Sequence, residues 1–300
     1  MKGLSPATGS LQGVGFALLA YGMWGTFPLF FALFDGVSAL EILAHRVIWS
    51  CLFLALVITL LKRWGAIARL RHAPRQWLPA MACALLIGLN WGLYIYSVET
   101  HRVLQASLGY FMTPLVNVML GVLVLKERIT LVQGVAIALA VAAISLQLFQ
   151  LGSLPWLSLS LAASFGTYGL LRKQLAFDGL SGLFLETLLL LPLALLLLPL
   201  QPSHFTPELI AAPPYTTALL VASGVLTALP LLAFAGAARR LTLSTLGFLM
   251  YLNPTLQFLI ALWVFHEPIV PAQLTTFALI WIALLLYSCS SLFQPRRSTR

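Results

Sequence analysis

Apolar and polar residues alternate along the chain in long blocks, not with the short periods of soluble helices and strands. Ten apolar runs are separated by short segments that contain charge, proline or glycine. A helix needs roughly 20 apolar residues to cross the hydrocarbon core of a bilayer. The pattern predicts ten membrane-spanning helices, over residues 12–31, 40–61, 77–98, 103–125, 130–149, 154–173, 180–200, 215–236, 242–265 and 269–290.

The composition restricts the class of protein in the same direction. Of the 300 residues, 60% are hydrophobic and only 8% are charged, whereas about 25% are charged in an ordinary soluble domain. Such a chain can neither cover a soluble globule with charge nor remain disordered, because disorder requires low hydrophobicity. We expect an all-α membrane protein without a sizeable soluble domain.

The basic residues predict the orientation of these helices. The net charge is +9, and cytoplasmic loops of membrane proteins carry an excess of lysine and arginine. If the N-terminus is cytoplasmic, fifteen of the 17 basic residues lie on that side, Arg102 lies outside and Arg46 lies within a span. We therefore expect both termini in the cytoplasm, and the basic charge needs no nucleic-acid partner.

Motifs for other kinds of chemistry are missing from the sequence. Cys51, Cys83 and Cys289 lie far apart within apolar runs, without the spacing of a disulfide framework or metal site. The sequence contains neither G-x-x-x-x-G-K-[ST], which would bind ATP, nor G-x-S-x-G or H-E-x-x-H, which mark hydrolases. We expect no cofactor, no metal and no enzymatic activity.

The chain repeats itself at nearly constant offsets. Pro114 and Glu127 recur 140 residues later as Pro254 and Glu267. Further matches are residues 21–25 with 165–169, Glu41 with Glu186, and Gly88 with Gly224. Because each half holds five spans, an odd number, the second half would start on the opposite side of the membrane. We predict two inverted repeats, residues 1–149 and 150–300, a frequent design of secondary transporters.

Ionisable residues inside a membrane span are costly and usually functional. Glu41 and His45 are one helical turn apart, Arg46 lies on the adjacent face, Trp49 extends the stripe, and Glu186 lies in the seventh span. We predict that these residues form a gating or polar network. A Glu–Arg pair that merely closes the outer end of the bundle is the main alternative, and proton coupling is a further one.

Two prolines predict kinks in the fourth and ninth spans. Pro114 and Pro254 would each free a carbonyl four residues earlier, at Tyr110 and Met250. An amide side chain follows one turn later in each span, and lipid would not satisfy its hydrogen bonds. We predict that Asn117 and Gln257 face a common cavity near the midplane. The alternative is that the prolines only bend their helices and the amides only hold neighbouring helices together.

Aromatic and polar residues elsewhere in the spans predict the walls of this cavity. Such residues at mid-span differ from the usual aromatic belt at the interface, and their rings suit flat or amphipathic solutes. Ordinary helix packing is the alternative for each residue taken alone. The predicted cavity residues are Tyr21, Trp24, Asn90, Trp91, Tyr94, Tyr110, Pro114, Asn117, Tyr168, Met250, Pro254 and Gln257.

Three segments resemble those of a known family. Residues 41–50 (EILAHRVIWS), 106–111 with 114–117, and 243–248 are similar to the RarD type of EamA-domain proteins in the drug/metabolite transporter superfamily. The resemblance spans nearly the whole chain, and the Glu-x3-His-Arg segment is its most specific part. Nothing in the second half reproduces His45–Arg46, so any role of that pair is asymmetric.

The resemblance implies a multi-pass permease of the bacterial inner membrane. The RarD type is named for chloramphenicol sensitivity. The expected function is export of a small organic metabolite or drug by alternating access, with the lipid bilayer and the solute as partners. The solute, proton coupling and homodimer formation remain open. The alternatives are a non-catalytic membrane sensor or assembly factor and, less favoured, an intramembrane enzyme.

Overall fold

The computed structural model is helical throughout the part of the chain that it describes, with no strand there. This agrees with the all-α prediction. The residues described are 6–34, 36–68, 74–126, 131–152, 154–172, 175, 177–200, 214–238, 240–241 and 249–293.

Ten of the described helices contain at least twelve residues, and a one-turn helix, Trp64–Ala68, lies in the segment between the second and third. They are α1 Pro6–Phe31, α2 Ala39–Leu60, α3 Trp77–Glu99, α4 Val103–Leu125, α5 Leu131–Leu151, α6 Trp156–Arg172, α7 Gly179–Leu197, α8 Pro214–Ala238, α9 Leu252–Trp263 and α10 Pro271–Phe293.

Polar and glycine residues set the ends of several helices. The Ser38 side chain accepts a hydrogen bond from the Glu41 N–H and caps α2, and Asp178 caps α7 through the Ser181 N–H. Gly152 follows α5 with a φ of 62°, a conformation that glycine adopts without strain. These signals explain why most predicted spans agree with the observed helices to within a few residues.

The ninth predicted span is the exception. The sequence predicts apolar helix over 242–265, but α9 begins only at Leu252. Leu249 is helical, residues 250–251 form a turn, and residues 242–248 lie outside the described residues. Pro254 is therefore in the first turn of α9, where proline's fixed φ favours helix initiation and its missing N–H costs nothing. The prediction that Pro254 kinks the middle of a helix is wrong.

The distribution of polarity is that of a protein in lipid. Six helices of the described chain, α1 to α4, α7 and α8, are long and apolar enough to cross a membrane. Large apolar side chains cover the outside, while charged and amide side chains such as Glu41, Arg46, Asn90 and Gln257 are buried. A soluble protein shows the opposite arrangement. That all ten helices span the membrane stays a prediction.

The two halves of the chain pack against each other helix by helix. Helix α1 packs on α8 and α9, and α6, five helices later, packs on α3 and α4. If each helix is exchanged with the one five places along the chain, the contact of α2 with α8 becomes that of α7 with α3, and both contacts are present. The same exchange leaves three further contacts unchanged, those of α2 with α7, α4 with α9 and α5 with α10. Two bundles, α1–α8–α9 and α3–α4–α6, therefore each combine helices from both halves.

The glycines matched by the repeat occupy related crossings. A Cβ on Gly224 of α8 would collide with the Trp49 carbonyl carbon of α2. A Cβ on Gly88 of α3 would lie 3.1 Å from the Leu190 side chain of α7. Any larger residue at Gly224 would push α8 off α2, and the Ser50 hydroxyl bonds the Gly224 carbonyl across the same crossing.

Candidate functional site

Arg46 is the buried cation of the bundle, with 3% of its surface exposed. Its Nε donates a hydrogen bond of 2.7 Å to the Thr227 hydroxyl of α8. Among the described residues, two salt bridges are formed, Arg63–Asp178 and Arg172–Glu186, and neither involves Arg46. The sequence did not indicate Thr227 as a partner, because only the packing of α2 on α8 brings the two together.

Three aromatic rings surround the Arg46 guanidinium. Its central carbon lies 4.4 Å from the centre of the Trp91 ring, 5.4 Å from that of Phe31 and 5.6 Å from that of Phe27. The negative faces of aromatic rings attract a cation, most strongly where water is excluded. Trp91 is a predicted site residue, whereas Phe27 and Phe31 were not predicted, because phenylalanines in an apolar span carry no distinguishing signal.

Asn90 connects three helices. Its amide nitrogen donates to the Leu161 carbonyl at 3.1 Å and to the Ser164 hydroxyl at 3.0 Å, both on α6. Its amide oxygen accepts from the Tyr110 hydroxyl of α4 at 3.1 Å. The predicted residues Asn90 and Tyr110 are thus brought together, and the Tyr94 ring lies 5.9 Å from that of Tyr110.

A line of rings leads from Tyr110 to the acidic residue of α7. The Phe165 ring lies 6.1 Å from Tyr110 and 5.9 Å from Tyr168, and the Tyr168 hydroxyl donates to Glu186 Oε2 at 3.1 Å. Arg172 Nε lies 3.4 Å from Glu186 Oε1. Glu186 is 1% exposed, so its charge is neutralised inside the protein by Arg172, a residue that sequence analysis assigned only to topology.

The predicted polar stripe on α2 is present along that helix. Glu41 and His45 are buried, and the Trp49 indole N–H points to His45 Nδ1 at 3.3 Å. The coupling of Glu41, His45 and Arg46 stays a prediction. The match of Glu41 with Glu186 does not hold in the helices, because Glu41 is the third residue after its N-cap and Glu186 is the eighth.

The two predicted amides have unlike environments. Gln257 is 2% exposed, and its amide nitrogen donates to Asn253 Oδ1 at 2.8 Å and to the Trp24 carbonyl at 3.5 Å. Asn117 is exposed, with its amide oxygen beside Gly166 of α6. Each amide therefore lies against the aromatic–glycine helix of the other half, but the described contacts do not join the two.

The remaining predicted cavity residues lie in different parts of the structure. Pro114 is buried within α4. Met250 lies in the turn before α9, and its carbonyl accepts a hydrogen bond from the Asn253 N–H at 3.2 Å. The prediction that the Met250 carbonyl lacks a partner is wrong for this reason. Tyr21 and Trp24 pack together at 5.8 Å between ring centres, and both rings contact Phe234 of α8.

A cavity of about 610 Å³ lies elsewhere, between α2, α3 and α7. Its lining is apolar and includes the exposed residues Leu85, Leu89 and Leu193. None of the predicted site residues lines it. A groove whose surface is almost entirely apolar suits lipid chains better than a polar solute, whose orientation requires polar contacts.

Glu267 holds the start of α4 and was missed as a site residue. Its two carboxylate oxygens accept hydrogen bonds from the Val103 and Leu104 N–H groups at 2.6 and 2.9 Å. Burial raises the pKa of Glu267, and these two bonds and the nearby His101 only partly offset it. The repeat had marked Glu267, whereas its matched residue Glu127 lies outside the described residues.

An ion pair joins two helix ends beyond the bundle core. Arg63, after α2, bonds Asp178, the N-cap of α7, and Arg172 donates to the Asp178 carbonyl at 2.8 Å. Burial alone would raise the pKa of Asp178, but the Ser181 bonds and the Arg63 charge outweigh it and hold that pKa below 3.8.

The described residues contain no group of three or more His, Cys, Asp and Glu side chains that could hold a metal ion.

Comparison with known proteins places the chain in a family. Residues 11–149 match the EamA-like transporter family. A crystal structure at 17% identity superimposes with a TM-score of 0.59 over 95% of this chain and 99% of that chain, which supports a shared fold.

Relatives match over nearly the whole length. The chain is 42% identical to the protein RarD of Escherichia coli, over 96% of this chain and 98% of that protein. It is 45% identical to an uncharacterized transporter of Vibrio cholerae (94% and 93% covered) and 33% identical to the chloramphenicol-sensitive protein RarD of Pseudomonas aeruginosa (96% and 97% covered). These matches and the apolar helices indicate a multi-pass membrane transporter rather than an enzyme. The chain therefore belongs to the RarD type of the EamA-domain proteins.

Proposed function

We propose that this protein exports a small organic solute across the bacterial inner membrane by alternating access of two inverted five-helix repeats, residues 1–149 and 150–300, with both termini in the cytoplasm. The paired packing carries this proposal: α1 on α8 and α9 is repeated by α6 on α3 and α4. Two bundles related in this way can exchange an inward-open and an outward-open state of similar energy.

The solute site of this proposal lies between the two bundles. Arg46 contacts Trp91 directly, and the Phe31 ring connects it to a further set of contacts formed by Tyr94, Tyr110 and Asn90. Thr227 of α8 and Phe27 and Phe31 of α1 reach the same arginine from the other bundle. Separation of the bundles would open this region, and their approach would enclose the solute among rings and a few polar groups.

Glu267 supplies a contact that must break when the bundles separate at that end. It lies between α9 and α10 and bonds the first N–H groups of α4. In the proposed orientation this end is outside the cell, so the structure described here is closed toward the outside. Opening outward would release Glu267 from Val103 and Leu104.

A reversible crosslink at this contact tests the mechanism. In a background with serine at Cys51, Cys83 and Cys289, Val103→Cys combined with Glu267→Cys should form a disulfide that blocks flux, and a reductant should restore it. Flux would be measured in proteoliposomes with radiolabelled chloramphenicol, phenylalanine and benzoate as probes. The single variants Val103→Cys and Glu267→Cys serve as controls for any effect of the substitutions themselves.

The outcomes separate the proposal from its alternatives. Saturable flux of a probe above that of protein-free vesicles, lost only in the oxidised double variant, supports alternating access. Flux at the level of empty vesicles for every probe would favour a sensor or assembly factor. Equal flux before and after complete crosslinking would contradict an opening at this end. A periplasm-dependent reporter fused after Arg300 should be silent, and a signal there would contradict the orientation.

A further inference from the structure

The Arg46 guanidinium has donor groups that the protein does not use. A guanidinium carries five N–H groups, and Nε bonds Thr227. Nη1 is buried and has no hydrogen-bond partner among the described residues. The three rings around it offer π faces but no lone pairs. A buried cation without a carboxylate is costly in a bilayer, so such a residue usually serves a functional purpose.

A second unpaired donor is connected to the guanidinium through the Phe31 ring. The Tyr94 hydroxyl is buried and, in the described part of the chain, has no hydrogen-bond partner. The Phe31 ring connects the two groups, because its centre lies 6.0 Å from that of the Tyr94 ring and 5.4 Å from the central carbon of the guanidinium. A positive charge and a hydroxyl donor buried beside the same ring favour an acceptor that carries negative charge.

We propose that Arg46 and Tyr94 bind the carboxylate of an aromatic organic anion, with Trp91, Phe27 and Phe31 against its ring. This inference rests on the proposed transport function and specifies its substrate class. The Trp91 ring lies against the guanidinium, with 4.4 Å between the ring centre and the central carbon. The unpaired Nη1 can donate to a carboxylate, and an in-plane arginine–carboxylate pair has the strongest geometry. A single cation suits a monoanion, and the rings suit a flat apolar body.

The position of the site connects anion binding to closure of the bundles. The residues around the Arg46 side chain come from three helices: Phe27 and Phe31 from α1, Thr227 from α8, and Trp91 and Tyr94 from α3. These helices belong to the two different bundles. An anion held between them would stabilise the closed state over an open one, because only the closed state offers all these contacts at once.

Ligand-dependent thermal unfolding of the purified protein in detergent tests the site without requiring transport. The probes are benzoate, phenylacetate and indole-3-acetate, each paired with its neutral amide. We expect at least one carboxylate to raise Tm in a saturable manner while its amide does not. Arg46→Gln should weaken that carboxylate's affinity about tenfold or more, and Tyr94→Phe, which removes only a hydroxyl, should weaken it severalfold.

Arg240 provides a matched control. It also lies over an aromatic ring, 5.1 Å from the centre of Phe16, but it is exposed and its Nη1 bonds the Gly236 carbonyl. Arg240→Gln should leave the response to carboxylates unchanged. If Arg46→Gln does not fold, Arg46→Lys and Tyr94→Phe still report on the site, since both keep its volume nearly intact.

The results distinguish this site from the transport proposal. Selective stabilisation by a carboxylate that depends on Arg46 and Tyr94 supports the site, even if proteoliposomes show no flux and the transport proposal fails. Three results would overturn the site: no stabilisation by any of the three carboxylates, equal stabilisation by the amides, or an unchanged response in both Tyr94→Phe and the Arg46 variant. If one of these three results is obtained and the proteoliposomes transport neutral chloramphenicol but no carboxylate, the transport proposal stands and the anion site is rejected.

Discussion

Arg46 and Glu186 occupy matching positions in two helices, yet their charges are treated differently. Each is the eighth residue after its N-cap, Ser38 for α2 and Asp178 for α7. Glu186 forms an ion pair with Arg172 and accepts a hydrogen bond from the Tyr168 hydroxyl. Arg46 has a hydroxyl and three rings but no carboxylate within the described structure. The comparison shows that a buried ionic group of α7 has its counter-charge within the protein, whereas the corresponding group of α2 has no carboxylate partner among the described residues.

The largest expected effect is at the neutralised position. Arg172→Ala would leave the Glu186 carboxylate buried without its cation, which costs about 3–5 kcal/mol of unfolding free energy. The double variant Arg172→Leu with Glu186→Leu should recover most of that loss, because it removes both charges. Thermal unfolding of the purified variants in detergent measures both. A single variant as stable as the parent would show that Arg172 does not neutralise Glu186.

The next largest loss of stability is expected at Asn90 of α3, which forms hydrogen bonds with α4 and α6. Asn90→Leu would leave the Leu161 carbonyl and the Ser164 and Tyr110 hydroxyls without this partner, at a cost of about 1–3 kcal/mol. Leu89→Ala, one residue away on the exposed side of α3, is the control and should change stability less. If the two variants lose equal stability, the hydrogen bonds of Asn90 contribute nothing specific.

Glu267 is a carboxylate with main-chain partners, in contrast to Glu186. Glu267→Ala should cost about 1–2 kcal/mol, because the first N–H groups of α4 lose their acceptor. Amide hydrogen exchange should accelerate in a peptide that includes Val103 and Leu104. Exchange in the α7 peptide around Glu186 should stay as in the parent. Acceleration in both peptides would indicate general destabilisation and not loss of a helix cap.

The smallest effect is at the exposed pair of Arg63 and Asp178. Its side chains are about a third exposed, so solvent reduces the contribution to below about 1 kcal/mol. Because the pKa of Asp178 is held below 3.8, its contribution is complete above that pH and is lost as the pH falls through the lowered pKa. The difference in Tm between the parent and Asp178→Asn should therefore shrink below pH 3.8. A difference that persists at lower pH would exclude ionised Asp178 as its source.

Much of the fold could be predicted from the sequence because lipid imposes simple rules. Blocks of apolar residues predicted the helices, and proline, glycine and capping residues placed most of their ends. The ninth helix was predicted wrongly, since an apolar run containing Pro254 is compatible both with a kinked helix and with a turn followed by a helix start. Hydropathy does not distinguish these two structures.

The sequence by itself determined which residues were unusual in lipid, among them Arg46, Glu186, Asn90 and Gln257, because burying a polar group in a bilayer is costly whatever the fold. Only the tertiary structure decided their partners. Thr227 lies 181 residues from Arg46, and Arg172 at the end of α6 meets both Glu186 and the Asp178 carbonyl, the N-cap of α7. Such contacts depend on how helices from distant parts of the chain cross, and these crossings cannot be predicted from periodicity or composition.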